Sequence, residues 1–343
     1  MMPQALAAAF VFQAGSCTAL GSPFMAQLCN LLATRDWPDT HLRDRYFSWA
    51  GDIGPKAQSL PLRLAGGLHA LVLTGDVLAG YYPPHVVSDD DLWDAVCGTM
   101  LRKDAFLNSW VNSPPQTNEV RRAAVLIAVG HVLANRYGFP LRLTELGASG
   151  GLNLMWDHYG LDIQDKQYGV SGAEVMLNPD WEGPLPPIAD PVVVGRRGVD
   201  LNPLDPKDPD DALRLRAYLW PDQPDRLHRT EAAIANYDAT VDQGDAIEWL
   251  AGQLNSASGT THLIYHTVAW QYFPPDVQAR GKALIEAAGA RATDNAPLAW
   301  FGMESDGKAP GAAMVLRLWP QDVTVDLGRV DFHDRWIKWK ATR

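Results

Sequence analysis

Cysteine is scarce in this chain, three residues in 343, and Cys17, Cys29 and Cys97 have neither metal-ligand spacing nor an even number for paired disulfides. A disulfide scaffold is excluded, and buried thiols in a reducing compartment are the expectation. Basic residues are also few: 29 Lys and Arg against 40 Asp and Glu leave a formal net charge of −11. A nucleic-acid backbone or an anionic membrane surface needs a basic face, so neither is an expected partner. The first basic residue is Arg35, so the apolar start from Ala5 to Phe12 lacks the charged flank of a secretory signal, and a cytoplasmic location is expected. Long apolar runs are missing as well. The longest, Ala123 to Leu133, is interrupted by His131 and falls far short of the ~20 residues that span a bilayer. No His, Cys or acid cluster has ligand spacing; His262 and His266 lie four apart on an expected strand, so no metal is expected.

What is present is the balance of a folded protein, 47% hydrophobic and 20% charged residues, with length for one large or two ordinary domains. Up to residue 138 the apolar spacing is helical, at Phe24 to Leu32, Leu62 to Leu73, Leu92 to Leu107 and Gln116 to Tyr137. Ser113-Pro114-Pro115-Gln116 reads as the start of the last of these, with Gly138 and Pro140 as its stop. Residues 1–138 are therefore expected to be an all-helical N-terminal domain. Beyond them short apolar strands alternate with helices: strands at Leu141–Leu146, Pro191–Leu201, Thr261–Val268, Pro297–Gly302, Ala312–Trp319 and Val323–Asp331. That alternation predicts an α/β domain over 139–343 with a doubly wound, mostly parallel, Rossmann-like sheet and an antiparallel edge. Residues 164–188 read as an inserted hairpin or lid.

The densest chemical signal is Leu141 to Asn153, where a strand ends in an acid and a glycine-rich turn: Glu145, Gly147, Ser149 and Gly151 alternate along it. Small residues let the backbone turn sharply beside a ligand, and the segment from Leu152 to Tyr159 is expected to open a helix whose free N–H groups face that ligand. Ligands in open α/β sheets sit beyond the carboxyl ends of the strands. Two further acids fall at such ends, Asp200 in Gly198-Val199-Asp200 and Asp245 in Gly244-Asp245-Ala246. A carboxylate in the first position can accept from ribose hydroxyls, and one in the second from the adenine amine.

This ordered trio resembles the class I S-adenosylmethionine-dependent methyltransferases over about residues 139–320. The resemblance implies a cofactor site of Glu145, Gly147, Ser149, Gly151, Asp200, Asp245 and Ala246. It departs from the family where Ser149 replaces the middle glycine and where the hairpin separates Glu145 from Asp200. On a finer scale, Gln116-Thr117-Asn118-Glu119, the glycine-rich loop, Arg197 to Pro203, Leu219-Trp220-Pro221-Asp222-Gln223 and His266 to Tyr272 together resemble the bacterial domain of unknown function 2332 family over nearly the whole chain. That family implies a methyltransferase-like fold and no assigned activity.

The short link from Gly138 to Pro140 makes the 116–137 helix antiparallel to the first strand. Its start then overhangs the strand's carboxyl end by ~10 Å, given the rise of helix and strand. Gln116, Asn118, Glu119 and Arg122 are expected there as lid or acceptor contacts. His266, at the end of the fourth strand, is the candidate base, with Trp270 and Tyr272 as walls against a sulfonium. The expected function is methyl transfer from S-adenosylmethionine to a small-molecule acceptor. Two alternatives stand beside it: a cofactor binder without turnover, and an α/β-hydrolase using Ser149 in a Gly-x-Ser-x-Gly elbow completed by residues such as Asp306 and His333.

Overall fold

The computed structural model describes residues 2–54 and 57–340. The chain divides into two compact units, Met1–Thr117 with Asp208–His228, and Asn118–Lys207 with Arg229–Arg343. The first unit is helical: α1 (Gln4–Ala19), α2 (Pro23–Thr34), α3 (His41–Phe47), α4 (Leu60–Leu73), α5 (Asp89–Arg102), α6 (Asp104–Trp110) and, from later in the chain, α8 (Pro209–Ala217). One apolar cluster runs through it, from Leu6 and Phe10 to Leu28, Leu64, Leu68, Trp110 and Tyr218. Cys17 and Cys29 are buried in that cluster and Cys97 is partly buried.

The Leu219-Trp220-Pro221-Asp222-Gln223 motif finds its role in this unit. Asp222 accepts from Ser22 Oγ at 2.5 Å and from the Phe24 N–H at 2.9 Å, so it completes the cap of α2 begun by Ser22 itself. Gln223 donates to the Leu20 carbonyl at 3.1 Å. Free N–H groups at a helix start must find acceptors, and here a chain segment two hundred residues away supplies one.

The second unit is built on a nine-stranded, mostly parallel sheet. Its strands are β1 (Leu141–Leu146), β5 (Asp180–Glu182), β6 (Val193–Asp200), β7 (Val241–Gln243), β8 (Thr261–Thr267), β9 (Leu298–Glu304), β10 (Ala312–Trp319), β11 (Val323–Val330) and β12 (Trp336–Trp339), in the order β5-β12-β11-β10-β9-β8-β1-β6-β7. From β7 to β9 all pairs are parallel. β10, β11 and β12 follow antiparallel, and β5 pairs parallel with β12 at the edge. The strand order reverses at β1, so the carboxyl ends of β1 and β8 face the topological switch point. α7 (Ala123–Tyr137) has every residue from Ala123 to Leu133 buried, which is why its sequence is apolar all round. A Cβ on Gly130 would meet Trp156 at 2.3 Å, so the helix approaches that indole as only glycine permits.

Several expected boundaries move. α7 begins at Ala123 after a short turn over Val120–Arg122, not at Gln116, because Pro114 and Pro115 keep the preceding backbone extended and Glu119, not Ser113, caps the turn. The helix then packs with the sheet unit, so the unit boundary falls after Thr117 rather than after residue 138, and α8 returns to the helical unit. The expected 92–107 helix is two, divided at Lys103, with the Asp104 carboxylate turned onto the first N–H groups of α3. In place of a hairpin over 164–188 stands a small three-stranded sheet, β2 (Gly160–Ile163), β3 (Lys166–Gly169) and β4 (Met176–Leu177), in the order β3-β2-β4, while β5 joins the main sheet. No described helix is long and apolar enough to cross a membrane.

Replacing Asp222 by Ala should lower stability by about 1–2 kcal/mol, the cost of a lost helix cap, in urea denaturation of the full chain. A loss under about 0.3 kcal/mol would mean that Ser22 caps α2 without help.

Candidate functional site

The turn from Gly147 to Gly151 leaves the carboxyl end of β1 with φ of +72° at Gly147, +55° at Ser149 and +72° at Gly151. The left-handed region costs Ser149 about 1 kcal/mol or more, so the surroundings must enforce it. They do so through β6. The Gly147 and Ala148 N–H groups both donate to the Val199 carbonyl, at 2.9 and 3.0 Å, and the Ser149 N–H donates to Asp200 Oδ2 at 2.9 Å. Gly151 turns back onto the Ala148 carbonyl at 2.7 Å. A Cβ at Gly147 would stand 2.5 Å from that of Ala269, so the loops after β1 and β8 touch at the switch point.

The expected cradle of free N–H groups is therefore largely occupied. Asn118 Oδ1 accepts from the Leu152 N–H at 2.8 Å, and Asn153 Nδ2 donates to the Glu119 carbonyl at 3.2 Å. The segment opening at Leu152 is a 3-10 turn to His158, not an α-helix. Arg122 donates to the Thr267 carbonyl at 3.1 Å and to the Phe332 carbonyl at 3.1 Å. The start of α7 does lie at the carboxyl end of β8. It does not overhang, since 15 helical residues rise ~22 Å against ~20 Å for six of strand. Asn118 and Glu119 are buried, 6% and 3% exposed, and with Arg122 they hold the loops instead of reaching over a crevice. Gln116 precedes the helix in a segment without regular secondary structure.

Asp200 sits at the end of β6, where Oδ1 also accepts from the Asn202 N–H at 3.0 Å. Asp245, after β7, caps the helix Ala246–Ala251: its Oδ1 accepts from Ile247 and Glu248 N–H at 2.9 and 3.0 Å. Ala246 is the buried first residue of that helix. The three acids thus stand at neighbouring strand ends, yet Glu145 points inward. It is 2% exposed, and burial pushes its carboxyl well above the usual range against the pull of Tyr265 and Arg122. Tyr265 Oη lies 3.5 Å from Glu145 Oε2 and 3.2 Å from the Asn153 carbonyl. One phenolic proton cannot serve both. A protonated Glu145 donating to Tyr265, which donates to Asn153, satisfies the chain.

His266, 3% exposed, has both ring nitrogens engaged. Trp300 Nε1 donates to its Nε2 at 3.0 Å, which puts the ring proton on Nδ1, 2.8 Å from Glu304 Oε1. Trp270 stacks on the ring at 4.9 Å between centroids, and Tyr272 is exposed. Glu304, which the motif reading passed over, organises this corner from the end of β9. Its carboxylate also accepts from the Ala269, Trp270 and Gln271 N–H groups at 3.0, 3.1 and 3.2 Å. Burial opposes its charge, but His266 and these donors hold the carboxyl below its ordinary value. The signal that would have found it is its place, an acid ending a strand beside the switch point. His262, the second strand histidine, is likewise enclosed, between Thr144 and Arg142.

Two buried polar atoms in the turn region, Ser149 Oγ and Asn153 Oδ1, have no hydrogen-bond partner. Ser149 accordingly has no base, and both Asp306 oxygens are taken by Arg329 at 3.1 Å, so the elbow reading with Asp306 and His333 is not assembled. Among the described residues no group of three or more His, Cys, Asp or Glu side chains is disposed to hold a metal.

With this geometry the whole chain can be placed. It belongs to DUF2332, described as an uncharacterized protein conserved in bacteria, whose sequence profile matches residues 7–339. No curated protein matches it.

Two substitutions test the buried Glu145 and the partly buried Glu304 of this DUF2332 protein. A carboxyl raised above its unfolded value of about 4.3 lowers stability as pH climbs from there towards the folded value. Glu145→Gln should therefore gain on the wild type between pH 5 and pH 8 in urea denaturation; a deficit above 2 kcal/mol at pH 8 would show that the ionised acid is needed. Glu304 has the opposite sign, since its depressed folded value contributes stability above about pH 4.3 that is lost as pH falls. The deficit of Glu304→Gln should be largest near pH 7 and shrink below pH 4, and a pH-independent deficit would separate it from the carboxylate charge.

Proposed function

We propose that the sheet unit has a Rossmann-like, methyltransferase-type topology and binds S-adenosylmethionine at the β1 turn for methyl transfer to a small-molecule acceptor. One observation carries this: the Gly147–Gly151 turn, Asp200 and Asp245 follow the carboxyl ends of three neighbouring parallel strands, β1, β6 and β7, beside the reversal of strand order. The hydrogen bonding of the turn favours an adenosine cofactor without phosphates. A pyrophosphate needs unpaired N–H groups at such a turn, and those of Gly147, Ala148, Ser149, Gly151 and Leu152 already have acceptors.

The residues suit the group. Ser149 Oγ and Asn153 Oδ1 are orphaned and match the carboxylate and ammonium of an amino-acid end. Asp200 would accept from ribose hydroxyls and Asp245, through Oδ2, from the adenine amine. When bound, the cofactor supplies an electrophilic methyl on a sulfonium. The protein's part is to bind and orient it. His266 is committed to Trp300 and Glu304 and is assigned no proton transfer. That same commitment favours the second reading, a cofactor-binding protein without turnover.

Calorimetry and melting with S-adenosylhomocysteine test the site, since a ligand at one hundred times its dissociation constant should add about 2.7 kcal/mol. No shift at millimolar ligand with folded protein would sink the reading. Asp245→Ser keeps a helix cap, and so stability within about 0.5 kcal/mol, but removes the second oxygen. Affinity for adenosine and S-adenosylhomocysteine should both fall five- to tenfold, and unchanged affinity would move the adenine site elsewhere.

A further inference from the structure

The helical unit encloses arginines that have no carboxylate partner. Arg63, 5% exposed, donates only to neutral oxygens: the Gln58 carbonyl and side chain at 2.7 Å each, and the Val111 and Asn112 carbonyls at 2.8 and 3.0 Å. Arg45 donates to the Asn108 carbonyl and Asn112 Oδ1, both at 2.7 Å. Arg214, on α8, lies 4.4 Å above the Trp110 ring, and its Nη1 is buried without a hydrogen-bond partner. Beside it Tyr218 Oη and Trp110 Nε1 are also orphaned, in side chains 7% and 4% exposed whose rings are 6.0 Å apart.

The imbalance is one of kind. An indole N–H and a guanidinium can only donate, so neither neighbour supplies an acceptor for the phenol's own proton. The charged groups acting on Tyr218 are Arg214 and Arg63, and the one acting on Arg63 is Arg45, with no acid among them. Composition does not explain this, because acids outnumber basic residues 40 to 29 over the chain. Asp104, at the start of neighbouring α6, is turned away to cap α3. Neutral carbonyls satisfy guanidinium N–H groups without neutralising them, and buried unpaired charge is costly. Orphaned buried donors in a native protein call for an acceptor.

We propose that this cluster is a binding site for an anionic oxygen group, a carboxylate or a phosphate. Arg214 is its ion-pair partner, Tyr218 and Trp110 are neutral donors, and Arg63 and Arg45 supply the surrounding positive potential. Arg214 is only half-buried and so marks the side from which the anion reaches the cluster. A planar guanidinium stacked on an indole has its fork pre-organised for two parallel bonds to such a group.

The test is calorimetric titration of the full chain with inorganic phosphate and, separately, with acetate, each against chloride at equal ionic strength. One-site saturable binding of either probe beyond chloride is expected, and the probe that binds names the source of the anion. Arg214→Gln should weaken it at least tenfold, the scale of a charge-assisted hydrogen bond. Tyr218→Phe removes an orphaned hydroxyl, so it should melt no lower than the wild type while binding weakens at least threefold, which keeps the test valid if Arg214→Gln folds poorly. No saturable binding of either probe, or equal affinity in Tyr218→Phe and wild type, overturns the proposal. Neither probe contains adenosine, so this outcome is independent of the cofactor site.

Discussion

Three consecutive backbone N–H groups, those of Gly147, Ala148 and Ser149, donate to the end of β6, and the rest of the sheet unit's carboxyl edge depends on that attachment. It fixes Ser149 in a left-handed conformation, brings the loop after β1 against Ala269 on the far side, and leaves Asn118 and Glu119 to close the turn from the start of α7. Asp200 is the hinge of this arrangement because one carboxylate serves the Ser149 and Asn202 N–H groups together. A turn that looks in sequence like a cradle for a ligand is in the fold first a clamp between strands.

Two carboxyls at the same edge illustrate how environment assigns roles. Glu145 and Glu304 both end parallel strands and both are mostly enclosed. Glu145 meets one phenol and the charge of Arg122, so burial prevails and its carboxyl is pushed well above the usual range. Glu304 meets an imidazole and three backbone N–H groups, so it stays charged despite burial. The count of donors facing each oxygen, more than depth, decides the outcome. The arginines around Tyr218 are the reverse case, where the donors are in place and an acceptor is missing.

Much of the fold was legible in residue patterns. The strands at 141–146, 261–267, 312–319 and 323–330 follow from short apolar runs, and the helical character of the first hundred residues from three- and four-residue spacing. The pattern failed where partners are distant. β7 is three residues long and β5 pairs only with β12, so neither carries enough alternation to be seen. Pro114 and Pro115 imitate a helix start, and only the burial of Glu119 against the turn shows where α7 begins.

The sequence by itself determined which chemistry is available: an acid and glycine turn ending a strand, two later acids at strand ends, few cations, and membership of DUF2332 written along nearly the whole chain. Spacing and apolar period are local properties, so they survive without a structure. Only the tertiary structure decided which groups remain free. It engaged both nitrogens of His266, turned Asn118 and Arg122 onto backbone groups, buried Glu145 so that its carboxyl is pushed upward, and left Ser149 Oγ, Asn153 Oδ1 and the Tyr218 cluster unsatisfied. Hydrogen-bond partners and desolvation depend on what packs from remote parts of the chain, and no local pattern encodes that.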